Sequence, residues 1–393
     1  MRESWRWFGP DDPVTLEDIR QTGATDIVSA LHHIPIGEVW PVHAIQQHKQ
    51  LVEQDNKPGS ELNWTVVESI PVHEDIKLAA PGHEYYVDNW IATLTHLGAA
   101  GIKTICYNFM PVIDWTRTDL KHQMPNGAIA LRFDQDNFAA FDLFILEREN
   151  ALEDYTPDEI SRAKLAFEAM GANDKIALTE TIIAGLPGKM TDAYSLEDFR
   201  KALARYAGMD HNDLRRNLIN FLDKVIPHAE RAGIKLAIHP DDPPWDMFGL
   251  PRVICTPQDL DLLFGAQPNP ANGMTLCVGT YGSRPDNDLP KMAKDFAERI
   301  HFAHLRGVSR DPQEQRSFVE ANHLDSDIDM ISVIRNLLSN EKALNREIFI
   351  RPDHGHKMMA DSDNSKGNPG YSSIGRMKGL AEVRGVIRAL SSM

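Results

Sequence analysis

The chain has 393 residues, 42% of them hydrophobic and 25% charged, and a formal net charge of −16. That length suits either two or three ordinary domains or one large α/β barrel, with ample apolar material for a core. The acidic balance excludes a nucleic-acid partner, whose phosphates call for clustered Lys and Arg, but leaves room for a small anion met by a local arginine.

Thr15 caps a short predicted helix that Gly23 stops. Asp26 to Ile34 reads as a strand ending in His32-His33 before Pro35. Val42 to Glu53 has helical spacing, and Asn63 to Ile70 is a second strand closed by Pro71. Tyr85 to Ala100 is a helix stopped by Gly101, and Lys103 to Met110 is a third strand closed by Pro111. The alternation then breaks. Residues 112–210 are long and mixed and read as a helical insertion on the loop side of a barrel, with Thr156 and Pro157 opening a helix to Met170. Leu214 to Ala232 resumes as a helix before strand four, Ile234 to Pro240. A helix beginning at Thr256-Pro257 leads to strand five, Met274 to Gly279. Leu289 to Arg299 is helical, Ile300 to Arg306 is strand six, and Ser317 to Ala321 is a weak strand seven. Ile328 to Leu344 is helical, Glu347 to Arg351 is strand eight, and Ser373 to Leu390 is the closing helix. Eight strands alternating with helices predict a parallel sheet closed as a (β/α)8 TIM barrel in one domain, residues 1–393. A doubly wound open sheet is the alternative, weakened because no Gly-x-Gly-x-x-Gly follows the first strand.

Three cysteines, Cys106, Cys255 and Cys277, are too few for a disulfide framework, so a reducing, cytoplasmic setting is expected. Residues 1–13 lack the apolar core of a signal peptide, and no run approaches the ~18 apolar residues of a membrane span.

In such a barrel the C-terminal strand ends meet on one face, where active sites lie. His239, Cys277, His304 and Asp353 each sit at or just past a strand end. Two imidazoles, a thiolate and a carboxylate can hold a divalent transition metal. Singly, each is as easily a buried or hydrogen-bonded side chain; together they point to a metal site. Fe²⁺, Mn²⁺, Co²⁺ and Zn²⁺ all suit the set. His354 adjoins Asp353 and can act as acid or base. Tyr371 lies on a Pro-Gly turn after the last strand, and Arg306 is placed to clamp a carboxylate. Asn108, Arg117, His32, His33 and His323 are further candidates for the mouth.

At these residues the chain resembles the mannonate dehydratases of hexuronate degradation. The resemblance runs through Trp5 to Pro10, Ala30 to Pro35, Cys106 to Pro111, Asp114 to Asp119, His239 to Pro244, His304 to Arg306, Arg351 to His356 and Asn368 to Tyr371. It implies a xylose-isomerase-like barrel, an Mn²⁺ or Fe²⁺ ion held by His239, Cys277, His304 and Asp353, and proton transfer by His354 and Tyr371. It also implies dehydration of D-mannonate to 2-keto-3-deoxy-D-gluconate; for that substrate, Arg306, Asn108 and His32 are the candidate binding residues. A homo-oligomer such as a dimer is expected. A metal-dependent sugar isomerase or epimerase on the same barrel, and a non-catalytic sugar-acid binder, are the competing classes.

Overall fold

A computed structural model describes residues 1–184, 195–363 and 367–392. Its strands are β1 (Arg2–Arg6), β2 (Asp26–Ser29), β3 (Asn63–Glu68), β4 (Thr104–Tyr107), β5 (Asp119–Gln123), β6 (Ile129–Phe133), β7 (Lys235–Ile238), β8 (Asn272–Cys277), β9 (Ile300–His304), β10 (Gly307–Arg310), β11 (Phe318–Ala321) and β12 (Phe349–Arg351). Eight of them, in the order β1-β12-β9-β8-β7-β4-β3-β2, close a parallel barrel. The (β/α)8 expectation holds, with two changes of membership. β1 opens the barrel although its residues, Arg-Glu-Ser-Trp-Arg, show no apolar run. β11, expected as the seventh barrel strand, belongs instead to a separate antiparallel sheet ordered β10-β11-β6-β5. The barrel was already closed without it, and Val319 pairs with Arg132 of β6.

The insertion therefore follows the fourth barrel strand, and it begins with the β5–β6 hairpin before turning helical. Part of it, residues 185–194, lies outside the described residues. Its helix Pro157–Ala169 starts as the sequence suggests: the Thr156 hydroxyl accepts from the Glu159 N–H, and the Glu159 side chain caps the Thr156 N–H. No helix among the described residues is long and apolar enough to cross a membrane.

The barrel interior explains where the site sits. Val28, Val66, Cys106, Ala237 and Phe302 form a buried apolar layer inside the barrel, with Phe349 against it. Side chains alternate along a strand, so the residue two positions further faces inward one layer higher. Those residues are Ala30, Glu68, Asn108, His239, His304 and Arg351, all but the first polar. Thr275, whose hydroxyl donates to the Ala237 carbonyl, likewise places Cys277 above it. A polar ring thus stands on an apolar floor at the C-terminal rim.

Candidate active site

Register brings two of the expected metal ligands level, and a third follows its strand beside them. Cys277 pairs with His304 across β8 and β9, and His304 with Arg351 across β9 and β12. His239 follows β7 directly. Ligand-capable atoms of His239, Cys277 and His304 lie within 4.8 Å of one another. Asp353 stands beside this trio rather than in it, its Oδ2 3.7 Å from the Cys277 sulfur. Its backbone is left-handed, φ 63°, an uncommon conformation for a residue with a side chain and one found at sites where a group must be aimed.

The donor set fits a divalent transition metal. His239 Nδ1–H donates to the Pro240 carbonyl at 2.7 Å, which leaves Nε2 bare for coordination. Burial lowers the His239 pKa and keeps the ring neutral, the form that binds metal. The Nε2 atom of His304 is buried without a hydrogen-bond partner. Burial alone would raise the Asp353 pKa, but Arg351, His354 and Arg306 hold its carboxyl well below the usual range.

Around this cluster runs a buried ion-pair network that the sequence did not expose. Glu68 accepts from Arg351 at 2.8 and 3.0 Å and lies 3.1 Å from Arg6. Arg117, from the loop before β5, is fully buried and donates to Asp242 at 2.7 Å and to Glu320 at 2.9 Å. The only sequence cue was that acidic and basic residues fall within apolar strands; partners as far apart as Glu68 and Arg351 cannot be matched by spacing.

His354 and Tyr371 meet edge to face, ring centroids 4.9 Å apart. Tyr371 is also edge-on to Phe8 at 4.8 Å. Burial, resisted by Arg351, pushes the Tyr371 phenol up to about 12. His354 Nδ1 lies 2.8 and 2.7 Å from the two carboxylate oxygens of Glu320. Both rings line a small chamber of about 40 Å³ together with His239, Asp353, Asn108 and Trp115. An adjoining cleft of about 650 Å³ shares His354 and Tyr371 with it and is also lined by Glu320.

The residues expected on the substrate sit in different settings. Arg306 was expected to clamp a carboxylate, yet its Nη1 donates to Glu320 at 3.3 Å and lies 3.3 Å from Asp353, while its Nη2 donates to Asp242 at 3.2 Å and Thr280 at 3.1 Å. Both ends of its fork are engaged by protein groups, while Nε is buried without a partner and the side chain lines the chamber. His32 does not line the chamber. Its ring stacks on Phe8 at 5.7 Å, so it stands one layer behind Tyr371. Burial, then Arg6, lowers its pKa to about 3. Asn108 does line the chamber. His323 is held away by its bond to the Pro352 carbonyl.

A parallel (β/α)8 barrel with mixed nitrogen, sulfur and oxygen donors at its C-terminal rim, and an imidazole–phenol pair above them, defines a class of enzymes that do acid–base chemistry on small polar molecules. The comparisons narrow the class. The family model described as D-mannonate dehydratase (UxuA) matches residues 1–393. The mannonate dehydratase of Marinomonas sp. (strain MWYL1) is 52% identical over 398 residues, and that of Chromohalobacter salexigens 51% over 397, each covering 100% of both chains. The crystal structure of mannonate dehydratase from Streptococcus suis superposes with a TM-score of 0.77 at 32% identity, covering 100% of this chain and 94% of the other. The chain belongs to the D-mannonate dehydratase family and is a hydro-lyase acting on a sugar acid. The isomerase reading falls away.

Proposed function

We propose that this dehydratase works with a divalent metal, Mn²⁺ or Fe²⁺, held by His239, Cys277, His304 and Asp353, and with His354 and Tyr371 as the proton-transfer pair. The observation that carries the reading is the edge-to-face contact of those two rings beside a cluster of imidazoles and a thiol with a carboxylate at its side. When bound, the cation offsets the negative charge that builds on the substrate carboxylate as C2 loses its proton.

The side chains divide the remaining work. His354 Nε2 takes the C2 proton as general base. Tyr371, kept protonated at neutral pH by burial, gives its proton to the C3 hydroxyl, which leaves as water. The C2–H electron pair becomes the C2–C3 double bond as the C3–O bond breaks. The enol formed then tautomerises to the 2-keto-3-deoxy acid. Asn108 bonds a substrate hydroxyl. Arg306 acts as a pillar between Asp242, Glu320 and Asp353, and His32 backs Phe8 and Tyr371. The larger cleft is the route by which substrate reaches the pair.

The test is metal-free protein given D-mannonate with Mn²⁺, Fe²⁺, Co²⁺, Zn²⁺ or Mg²⁺ added back singly under anaerobic conditions, with 2-keto-3-deoxy acid as the readout. Product with Mn²⁺ or Fe²⁺ ahead of the others is expected. Full turnover by the stripped protein would overturn the metal assignment.

A further inference from the structure

We infer that Glu320, reaching in from the accessory sheet, is a positioning residue that fixes the tautomer of His354, binding its Nδ1–H and turning a bare Nε2 toward the reacting centre. This rests on the reading of His354 as the general base. Glu320 lies on β11, outside the barrel, and is 3% exposed. Both its oxygens are within hydrogen-bonding distance of His354 Nδ1, at 2.8 and 2.7 Å. On the opposite edge of the ring, Nε2 is 3.9 Å from Asp353 Oδ1. One nitrogen therefore faces the accessory sheet and the other the proposed metal ligands. The same strand holds the loop a second time, because His356 Nε2–H donates to the Glu320 carbonyl at 2.7 Å.

The proton can be assigned from the neighbours. Arg306 Nη1 also lies 3.1 Å from His354 Nδ1, and a guanidinium can only donate. Nδ1 cannot accept from Arg306 and donate to Glu320 at once. Arg117 and Arg306 donate to Glu320 Oε1 at 2.9 and 3.3 Å and keep the buried carboxylate ionised, so it only accepts. The shorter contacts are those to Glu320. Nδ1 is therefore the donor, and Arg306 approaches because it shares Oε1 of the same carboxylate at 3.3 Å. Without an ionised acceptor here, the proton is free to move to Nε2, where it blocks proton abstraction. A carboxylate that merely balanced Arg117 and Arg306 would have no such effect on the tautomer.

The experiment compares holoenzyme Glu320→Gln and Glu320→Asp with His354→Asn and with the Glu320→Gln/His354→Asn double variant. Glu320→Gln is expected to lower kcat by about 10²–10⁴, with KM within about threefold and metal content unchanged. Glu320→Asp should recover at least about tenfold over Gln. The double variant should be no slower than His354→Asn alone, since Glu320 acts through that ring. Spectra of Zn²⁺-loaded, ¹⁵N-histidine-labelled wild type, with His354 assigned by its loss in His354→Asn, should show Nδ1–H and bare Nε2. A proton on Nε2 in that spectrum overturns the inference, even if the Gln variant fails to fold. So does Glu320→Gln turnover within about threefold of wild type, or losses that multiply in the double variant. Normal turnover by His354→Asn would instead remove the base reading, and the spectrum would still decide the tautomer.

Discussion

Gly279 offers a sharp probe of the buried network, because it lies beside Arg306 rather than in the proposed metal or proton-transfer set. It sits in the short helix Val278–Gly282 that follows Cys277. A Cβ placed there would stand 2.1 Å from Arg306 Nε, 3.0 Å from Cζ and 3.1 Å from Cδ. Ordinary contact begins at 3.4 Å, so Nε must retreat by 1.3 Å. A long arginine in solvent would swing away at little cost. This one is tied at its far end by Asp242, Thr280 and Glu320 at 3.1–3.3 Å, and a shift of that size takes those bonds past hydrogen-bonding range. Breaking a buried charge pair while leaving its partner behind costs about 3–5 kcal/mol. Gly279→Ala should therefore lose up to about that much stability in urea unfolding of the holoenzyme, and kcat should fall at least about tenfold as Glu320 and Asp353 each lose one of their two arginines. Gly265→Ala is the control. It lies in the helix Pro257–Ala266, has nothing within 4 Å of the added methyl, and should gain about 0.5–1 kcal/mol from helix propensity. If the two variants unfold at the same urea concentration and turn over equally, Arg306 yields freely and its ion pairs do not hold the site.

Cys277→Ser should keep the fold and weaken metal binding, since a hydroxyl is a poorer ligand than a thiolate; full metal occupancy after dialysis would remove Cys277 from the ligand set. His354→Asn should lower kcat by about 10²–10⁴ with metal retained, read by steady-state rates alongside metal analysis. The Glu320 pKa, moved from 4.5 to about 2, makes a linkage prediction. A depressed carboxyl pKa contributes stability that is complete above pH 4.5 and is lost as pH falls toward 2. Acid titration of stability should therefore be shallower in Glu320→Gln than in wild type over that window, by about 3 kcal/mol in total. Equal slopes would mean that Glu320 is not ionised in the folded protein.

The rim positions of His239, Cys277, His304 and Asp353 were legible because a parallel barrel delivers every strand's C-terminal end to one face. Helix starts at Thr15, Thr156 and Thr256 were legible because a hydroxyl followed three residues later by a carboxylate satisfies its own helix locally. Those signals need only neighbours in sequence, or a count of strands.

Other features depended on neighbours distant in sequence. β1 was hidden because its inward-facing residue is the charged Arg6, whose partner Glu68 belongs to another strand. β11 was a short alternating segment that either sheet could take, and pairing with β6 and β10 decided it. The reach of Arg306 into Asp242, Thr280, Glu320 and Asp353 was likewise beyond what spacing could show. Sequence alone determined which residue types stand at the rim of the barrel, because strand alternation and chain order suffice for that. Only the tertiary structure decided which of them touch each other and which face the chamber, because a buried charge takes its place from the opposite charge it must meet, however many residues lie between them.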